Sequence, residues 1–568
     1  MQEISEIYWR KPKNVTRGYA KGRFGQIHYR VSSPQKSEII PLVMLHQSPS
    51  SGRPFESILS HMGADRLVYA VDTPGFGDSD PPLSPPSIAD YAGAIIDFLD
   101  FFNLSKVNLF GDHTGAKIAL EVTRQSPTRI CKLIFNSCPV YSNEQMEKMM
   151  LHLKDEKPKS RVPEDGSHII DSWVRLQKWY GDLPLPLIER DFAEMQRPLD
   201  LGWYGHNAAF AVNHAENLPH VSHPILILCP NDMLWDATLA SKEYLVNGKI
   251  IELKDYGMGS LSYNSEMYVN IFKNFLDSDT DNNKNDFSSY SIIKPHKLSP
   301  SEGVITKEFI SIGEGQIHYR YAGDINADSN VVICLHMSPV SSKNFEPLMG
   351  YISKNRFIIA IDIPGFGESD PLSEEYNMDY LSELILETMI KVAPNTKFDL
   401  VGDHTGSVIA LNLAFLQPDL INSLAINTIP LFDKNDRELR LSNAVYKPPD
   451  KNGSHLLERW ERANLANGNG VNQKMIIKNF VESLRGGPFS HWGHKAVFSF
   501  DLEKILPHIF QKVLVYKPND GLQSNTEAGI IKIKNATLVE LPDEKYGFME
   551  VRSKEISEQL LNFFDNIN

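Results

Sequence analysis

Short apolar runs alternate with longer stretches of helical periodicity along most of the chain. Runs such as residues 107–110 and 225–228 have the length and composition of buried strands. The segments between such runs repeat apolar residues every three or four positions, which indicates helices with one buried face. This alternation predicts an α/β fold in which helices cover a mostly parallel sheet.

The whole pattern occurs twice, about 290 positions apart. The hexapeptide at 25–30 returns unchanged at 315–320, and the nine residues at 72–80 return in similar form at 362–370. A repeat of this length is a duplicated domain rather than a solenoid unit. The 568 residues also exceed what one hydrophobic core usually supports. We therefore expect tandem domains at 1–276 and 301–568, joined by a linker at 277–300 that begins with many Asp, Asn and Ser residues.

One segment of each predicted domain departs from the alternation of strands and helices. Residues from about 140 to 220 and from about 431 to 507 have amphipathic helical periodicity and contain tryptophans. Open α/β sheets bind ligands at the carboxyl ends of their strands, and inserted helices there would form a roof over the pocket. The pattern predicts an inserted helical cap in each domain.

The pentapeptide Gly-Asp-His-Thr-Gly stands between a strand and a helix in both halves, at 111–115 and 402–406. A nucleophile elbow is so sharp a turn that the residues two before and two after its apex must be almost free of side chain. Only histidine has glycine at both places, so we expect His113 and His404 at the two apices. Asp112 and Asp403 could be mistaken for a nucleophile, but we expect their side chains to point below the turn.

Together these motifs resemble the α/β-hydrolase superfamily, in particular the capped branch of epoxide hydrolases, haloalkane dehalogenases and related esterases. The resemblance covers nearly all of both halves and implies two tandem α/β-hydrolase domains with caps. It also implies that the family's triad carboxylate, which follows the penultimate strand, corresponds to Asp232 and Asp520. The positions that match the family's oxyanion-hole amides are Ser48, Thr114, Ser338 and Thr405.

The sequence departs from this family at two catalytic positions. Histidine stands where the family has Ser, Asp or Cys, and Met258 and Tyr546 stand near the place of the family's histidine. A neutral imidazole already has a free lone pair, and an unperturbed histidine is roughly three-quarters neutral at pH 7. We therefore expect His113 and His404 to act as nucleophile or general base, with a nearby carboxylate orienting each ring.

Further residues are candidates for substrate contact because they lie in the turn after the third strand or in the predicted caps. A turn-stabilising role is the alternative for the turn histidines, and a place in a helix-capping segment is the alternative for the two histidines that follow Gly-Ser. Gln47 of the first half corresponds to Met337 of the second, which has neither the hydrogen-bond donor nor the acceptor of glutamine. We therefore expect the first half to hold the working site. The candidates are His46, Gln47, His168, Trp203, His206, His336, Met337, His455, Trp492 and His494.

These features predict an enzyme that acts on a small carbonyl compound by ester, lactone or thioester hydrolysis. No metal ion and no organic cofactor is expected. One alternative is a non-hydrolytic lyase, decarboxylase or cyclase reaction with the histidine as general base. The other is a binding protein that has lost catalysis, in which bulky side chains would seal the pocket.

Composition limits the possible partners. A net charge of -14 and a pI near 5.7 argue against nucleic acid, which needs a concentrated basic surface. Four cysteines without metal-binding spacing, no apolar run of membrane length and no secretory segment predict a cytoplasmic protein. We expect a small-molecule substrate, no nucleic acid and no membrane, and the covalent link favours packing of the two halves as an internal pseudo-dimer.

Overall fold

A computed structural model describes residues 2–156, 163–278, 304–313, 315–326, 329–465 and 468–565. Of the predicted linker at 277–300, only Asp277 and Ser278 belong to the described residues, and the rest lies outside them. No helix in the described ranges is both long enough and apolar enough to cross a bilayer.

Each half contains a sheet of eight strands. The strands of the first half are β1 (Thr16–Gly22), β2 (Gly25–Ser32), β3 (Leu42–Leu45), β4 (Val68–Val71), β5 (Val107–Asp112), β6 (Ile130–Asn136), β7 (Ile225–Pro230) and β8 (Gly248–Leu253). Those of the second half are β9 (Thr306–Ile312), β10 (Gly315–Ala322), β11 (Val331–Leu335), β12 (Ile358–Ile361), β13 (Phe398–Asp403), β14 (Ile421–Asn427), β15 (Lys512–Pro518) and β16 (Ala536–Leu541).

The two sheets have the same topology. The strand order is β1-β2-β4-β3-β5-β6-β7-β8 in the first half and β9-β10-β12-β11-β13-β14-β15-β16 in the second. Strands from β3 to β8 pair in parallel with one another, whereas β2 pairs antiparallel with β1 and β4. The central strands are buried along their whole length, as the continuous apolar runs of the sequence require. The α/β prediction and the two tandem copies are confirmed.

Helices cover both faces of each sheet. Those of the first half are α1 (Gln2–Trp9), α2 (Glu56–Met62), α3 (Ile88–Phe101), α4 (Thr114–Gln125), α5 (Asn143–Glu156), α6 (Ser167–Tyr180), α7 (Leu185–Gln196), α8 (Trp203–Phe210), α9 (His214–Asn217), α10 (Trp235–Ala240), α11 (Ser260–Tyr263) and α12 (Ser265–Leu276). Those of the second half are α13 (Glu346–Ile352), α14 (Met378–Val392), α15 (Thr405–Leu416), α16 (Lys434–Asn443), α17 (Ser454–Leu465), α18 (Gln473–Arg485), α19 (Trp492–Ser499), α20 (Gln523–Ile530), α21 (Phe548–Val551) and α22 (Ser553–Asp565).

Helices occupy both segments for which the sequence predicted a cap. Helices α5 to α9 lie between β6 and β7, and α16 to α19 lie between β14 and β15. We call these two groups the first and the second insertion. Both follow the strand next to the elbow strand, so each insertion starts from the carboxyl edge of its sheet.

The turns between β5 and α4 and between β13 and α15 have the elbow conformation predicted for them. His113 has φ 49° and ψ -106°, and His404 has φ 47° and ψ -98°. A Cβ on Gly115 would overlap the carbonyl oxygen of Leu45, and one on Gly406 would be obstructed in the same way. The sequence argument that only glycine fits two positions from each apex agrees with this geometry.

The edge strands β1 and β9 lie side by side and are joined by two glutamine side chains. The Gln26 side chain accepts from the Lys307 amide at 2.8 Å and donates to the Lys307 carbonyl at 2.8 Å. Gln316 does the same for Arg17, at 2.8 and 3.0 Å. These reciprocal bonds satisfy edge-strand groups that would otherwise be open to another chain.

A buried ionic cluster also joins the halves. Glu368 of the second half accepts from Arg197 of the first at 2.5 Å and from Arg485 of its own half at 2.6 Å. Burial alone would raise the pKa of Glu368, but the two guanidinium groups outweigh it and hold that pKa well below its usual range. The carboxylate is therefore ionised and paired across the contact.

The elbow geometry predicts opposite effects of alanine at two glycines. Gly115→Ala should lower the free energy of unfolding by about 3 kcal/mol or more, because the new methyl group meets backbone that cannot rotate away. Gly350→Ala, inside α13 with nothing within 4 Å of its Cβ, should raise it by about 0.5–1 kcal/mol. Urea unfolding of the full chain measures both, and equal effects of the two substitutions would refute the assignment of the elbow.

Candidate functional site

In the first half the structure brings His113 and Asp232 together at the carboxyl edge of the sheet. The distance from His113 Nε2 to Asp232 Oδ2 is 3.2 Å. Asp232 is held in turn by the Ser137 hydroxyl at 3.1 Å and the Leu234 amide at 2.7 Å. His113 Nδ1 has no hydrogen-bond partner among the described residues. One ring nitrogen is thus oriented by a fixed carboxylate, and the other has a lone pair for a ligand whenever the ring is neutral.

In the second half the imidazole is held on both sides. His404 Nε2 lies 2.9 Å from Asp520 Oδ2, and His404 Nδ1 lies 2.7 Å from Asp403 Oδ1. The Thr428 hydroxyl fixes Asp520 at 2.7 Å. Because both ring nitrogens face carboxylates, the favoured state of this ring is a doubly protonated imidazolium that donates to each of them.

The charge state of the two rings differs from the mostly neutral imidazole that the sequence suggested. Burial would lower the pKa of His404, but the Asp403 charge and the hydrogen bonds to Asp403 and Asp520 raise it to about 9. Burial likewise opposes a raised pKa at His113, where the hydrogen bond to Asp232 and the charge of Asp112 prevail. The expectation of a neutral ring at pH 7 is therefore wrong for His404, since two carboxylates stabilise its charged form.

The aspartates before the apices also depart from expectation. Asp403 contacts the His404 ring directly instead of pointing below the turn. Asp112 is farther from its neighbour, with Oδ1 3.9 Å from His113 Nε2, and it accepts from the Asn136 side chain at 2.7 Å. Burial raises the pKa of Asp112. The different reach of these two carboxylates is the main difference between the elbows.

A small cavity adjoins the first elbow. Its volume is about 30 Å³, which is room for about two water molecules. His113, Asp232 and Gln47 line it, as does Met258, the residue at the place of the family's histidine. Tyr180 of α6 lines it from above, and a Cβ on Gly259 would overlap the Tyr180 ring. The first insertion therefore closes directly over the loop that follows β8.

The second elbow is covered by an aromatic ring. Tyr546 stacks on His404 with ring centroids 4.8 Å apart and an angle of 18° between the ring planes. Burial and the positive charges of Arg462 and His404 lower the pKa of His494, on α19, to about 4. The His404 ring thus has one face closed and a second, neutral imidazole in its electrostatic surroundings.

The predicted oxyanion amides differ between the halves. Thr114 and Thr405 are the first residues of their helices, where a backbone N–H has no acceptor within the helix. In the second half the Ser338 amide donates to the Thr405 hydroxyl at 3.3 Å. Within the described residues no such bond joins Ser48 to Thr114, so the first half leaves that amide available.

The turn histidines stabilise the chain rather than presenting their nitrogens to a ligand. His46 Nδ1 donates to the Gln47 carbonyl at 2.6 Å, and its Nε2 accepts from the Thr73 amide at 3.0 Å. His336 uses both nitrogens in the same way, and its Nδ1 donates to the Met337 carbonyl at 2.8 Å. Burial lowers the pKa of both histidines, so both rings are neutral.

The other candidates in the insertions lie outside the cavity at the first elbow. His168 contacts Trp460, and His455 contacts Trp173, so both histidines lie where the two insertions meet instead of in that cavity. Trp492 is buried against Tyr376 and Phe489. None of these three side chains lines this cavity, and their contact with a substrate stays a prediction. Trp203 and His206, which contact Tyr204 and Phe210, are also absent from its lining.

The sequence alone assigned no role at the site to several residues that shape it. Asp112, Asp403, Asn136 and Asn427 occur at matching places in both copies, and that recurrence was the available signal. Tyr180 carried no such signal because only folding brings α6 over the elbow. Among the described residues no group of three or more His, Cys, Asp and Glu side chains could hold a metal ion.

Comparison with protein families gives matches in both halves. A family model described as the alpha/beta hydrolase fold matches residues 40–167 and 330–488, which together are just over half of the chain. Each match includes one elbow, and the two matches occupy equivalent parts of the two halves.

Individual relatives are distant. The chain is 30% identical over 141 residues to the biotin biosynthesis bifunctional protein BioHC of Teredinibacter turnerae. This match covers 24% of this chain and 22% of that protein. It is 22% identical over 218 residues to a 2-hydroxy-6-oxononadienedioate/2-hydroxy-6-oxononatrienedioate hydrolase of Cupriavidus pinatubonensis, covering 34% of this chain and 74% of that protein. The chain thus spans only about a fifth of the length of the first relative.

Among solved structures, the Cif epoxide hydrolase of Acinetobacter nosocomialis is similar with a TM-score of 0.38 and 18% identity. The match covers 47% of this chain and 90% of that one.

The charge on His404 predicts a pH dependence of stability. Its pKa is raised from 6.5 to about 9 on folding, so its stabilisation is fully present below pH 6.5 and is lost as the pH rises through 9. The loss is up to about 3 kcal/mol. Urea unfolding between pH 6.5 and 9.5 should therefore show that the free energy of unfolding falls more steeply with pH for the wild-type chain than for His404→Gln. Parallel curves would contradict a charged His404 ring held between Asp403 and Asp520.

Proposed function

This chain belongs to the α/β hydrolase fold family and is hydrolase-like, and we propose that it hydrolyses a small carbonyl compound at His113. The observation that carries the proposal is the free Nδ1 of an elbow imidazole whose Nε2 is oriented by Asp232 beside a cavity that holds about two waters. At His404 both ring nitrogens face carboxylates and Tyr546 covers one face of the ring.

In the proposed reaction His113 acts as general base on water. His113 Nδ1 removes a proton from a water in the cavity, and the oxygen attacks the carbonyl carbon of an ester, lactone or thioester. The tetrahedral oxyanion is stabilised by the amides of Ser48 and Thr114. When the bond to the leaving group breaks, the imidazolium returns the proton to that group, and Asp232 keeps the ring oriented throughout.

A carbonyl substrate suits the arrangement for two reasons. Amides at the positions of Ser48 and Thr114 serve an oxygen that gains negative charge, which is what a carbonyl oxygen does on attack. The sequence relative from Cupriavidus pinatubonensis is named as a hydrolase of a dienedioate, which supports hydrolysis in general and does not define the substrate here.

For the second half we propose a non-catalytic role. Its imidazole is bonded on both nitrogens, its ring is covered by Tyr546, and its Ser338 amide is already bonded to Thr405. The two halves then form an internal pseudo-dimer with one working site, supported by the bonds of Gln26 and Gln316 across the edge strands.

A matched pair of substitutions tests the proposal. His113→Gln should lower kcat/KM for p-nitrophenyl acetate and small thioesters by about 10²–10⁴-fold, because the general base is lost. His404→Gln should change kcat/KM by less than about threefold, which is the scale of minor structural effects. Equal losses in the two variants, or no loss in His113→Gln, would overturn the assignment.

Labelled water separates hydrolysis from the non-hydrolytic alternative. Turnover in H₂¹⁸O should place one ¹⁸O atom in the acid product, because the attacking oxygen comes from solvent. A product without solvent oxygen would instead support a lyase, decarboxylase or cyclase reaction on the same scaffold.

A further inference from the structure

The roof of the His113 cavity is formed by α6 and α7. Tyr180 at the end of α6 donates from its hydroxyl to Asp191 of α7 at 3.0 Å, and both residues line the cavity. Arg190 of α7 donates to the Ser262 hydroxyl of α11 at 2.7 Å. A cavity of about 30 Å³ is too small for even a small ester, so its lining has to move apart before a substrate enters, and α6 and α7 are part of that lining.

The middle of α6 is anchored on the second half. Trp173 donates from its indole N–H to the Asp450 carbonyl at 3.0 Å, and Gln177, one turn further on, donates to the Lys451 carbonyl at 2.9 Å. The His455 ring lies against Trp173 with centroids 5.2 Å apart. Tyr180 is less than one turn beyond Gln177, so these bonds set the position of the residue that closes the cavity.

The start of α6 is anchored by the reciprocal contact. Trp460 of α17 donates from its indole N–H to the Glu164 carbonyl at 2.8 Å, three residues before the helix begins. Its ring lies against His168 with centroids 5.0 Å apart, and a Cβ on Gly166 would come within 2.7 Å of the Trp460 ring. Trp460 is almost completely buried and does not line the cavity.

The apolar faces of α6 and α7 extend these anchors into the hydrophobic core. Ile169, Leu176, Ile188 and Phe192 belong to one continuous cluster of buried residues with the core of the second half, not with that of the first. The roof therefore packs on the half of the molecule that does not contain the cavity beneath it.

We infer that the second half positions the roof of the His113 site, and that Trp460 is a positioning residue for that site. The kinetic consequences rest on the proposed function, whereas the anchoring itself does not. This role accounts for a second domain whose own elbow is closed. Substrate entry then depends on how firmly α17 holds α6, so residues remote from the chemistry set the size of substrate that is accepted.

Trp460→Phe tests the inference because it removes the indole N–H donor and leaves a smaller aromatic side chain, and both changes loosen the contact with α6. Losing one net hydrogen bond should speed amide hydrogen exchange of α6 by about fivefold. The ratio of kcat/KM for p-nitrophenyl butyrate to that for the acetate should rise at least about threefold, since a looser roof admits the longer acyl chain more readily. Gln177→Ala is a milder second variant, less disruptive to the core, with the same expected direction.

Tyr376→Phe is the matched control. It also removes one buried aromatic donor, to the Pro364 carbonyl at 3.2 Å, but within the second half alone. The control should leave both α6 exchange and the substrate ratio unchanged. Unchanged α6 exchange in both Trp460→Phe and Gln177→Ala would overturn the inference. Faster α6 exchange in a chain that hydrolyses no ester would keep the anchoring and reject the proposed function, and an unchanged ratio in an active chain would reject the positioning role.

Discussion

The strained backbone at the apex of each elbow is the constraint on which the rest of the site depends. A histidine with φ near 48° occupies a sparsely populated conformation that costs about 1–3 kcal/mol. Glycines two positions away allow the turn to close against the neighbouring strand. The turn lifts the imidazole above the edge of the sheet, where the aspartate after the penultimate strand meets it. The contact between the apex histidine and this aspartate therefore depends on both the strand order and the glycines on either side of the apex.

That arrangement is the same in both halves, yet small differences give the two imidazoles different contacts. A carboxylate that reaches Nδ1 of His404 stabilises a charged ring, whereas the corresponding Asp112 stays 3.9 Å from Nε2 of His113. Tyr546 covers one face of the His404 ring, whereas Met258, at the corresponding place in the first half, lines a small cavity beside His113. Under the function proposed above, a duplicated domain keeps its fold and its elbow while one copy supports the other.

Much of the fold and part of the site follow from sequence. Apolar runs and the long repeat predict two α/β sheets, and the spacing of Gly111, His113 and Gly115 predicts the apex. Asp232 was identified through the family resemblance, because it follows the penultimate strand as the family's triad carboxylate does. The contact between Asp403 and His404 was not predicted, because it depends on the rotamer of Asp403, which no sequence pattern indicates. His168 and His455 were assigned to substrate because nothing local shows that the two insertions pack against each other.

The charge states of the two imidazoles carry the central claim, and NMR titration of both rings in the wild-type chain with ¹⁵N-labelled histidine measures them directly. The account predicts that His404 keeps both ring protons until about pH 9, and that His113 loses its Nδ1 proton at a lower pH while Nε2–H stays bonded to Asp232. If His404 titrates at or below the pH of His113, the second elbow is not clamped, and the division of roles between the halves is contradicted.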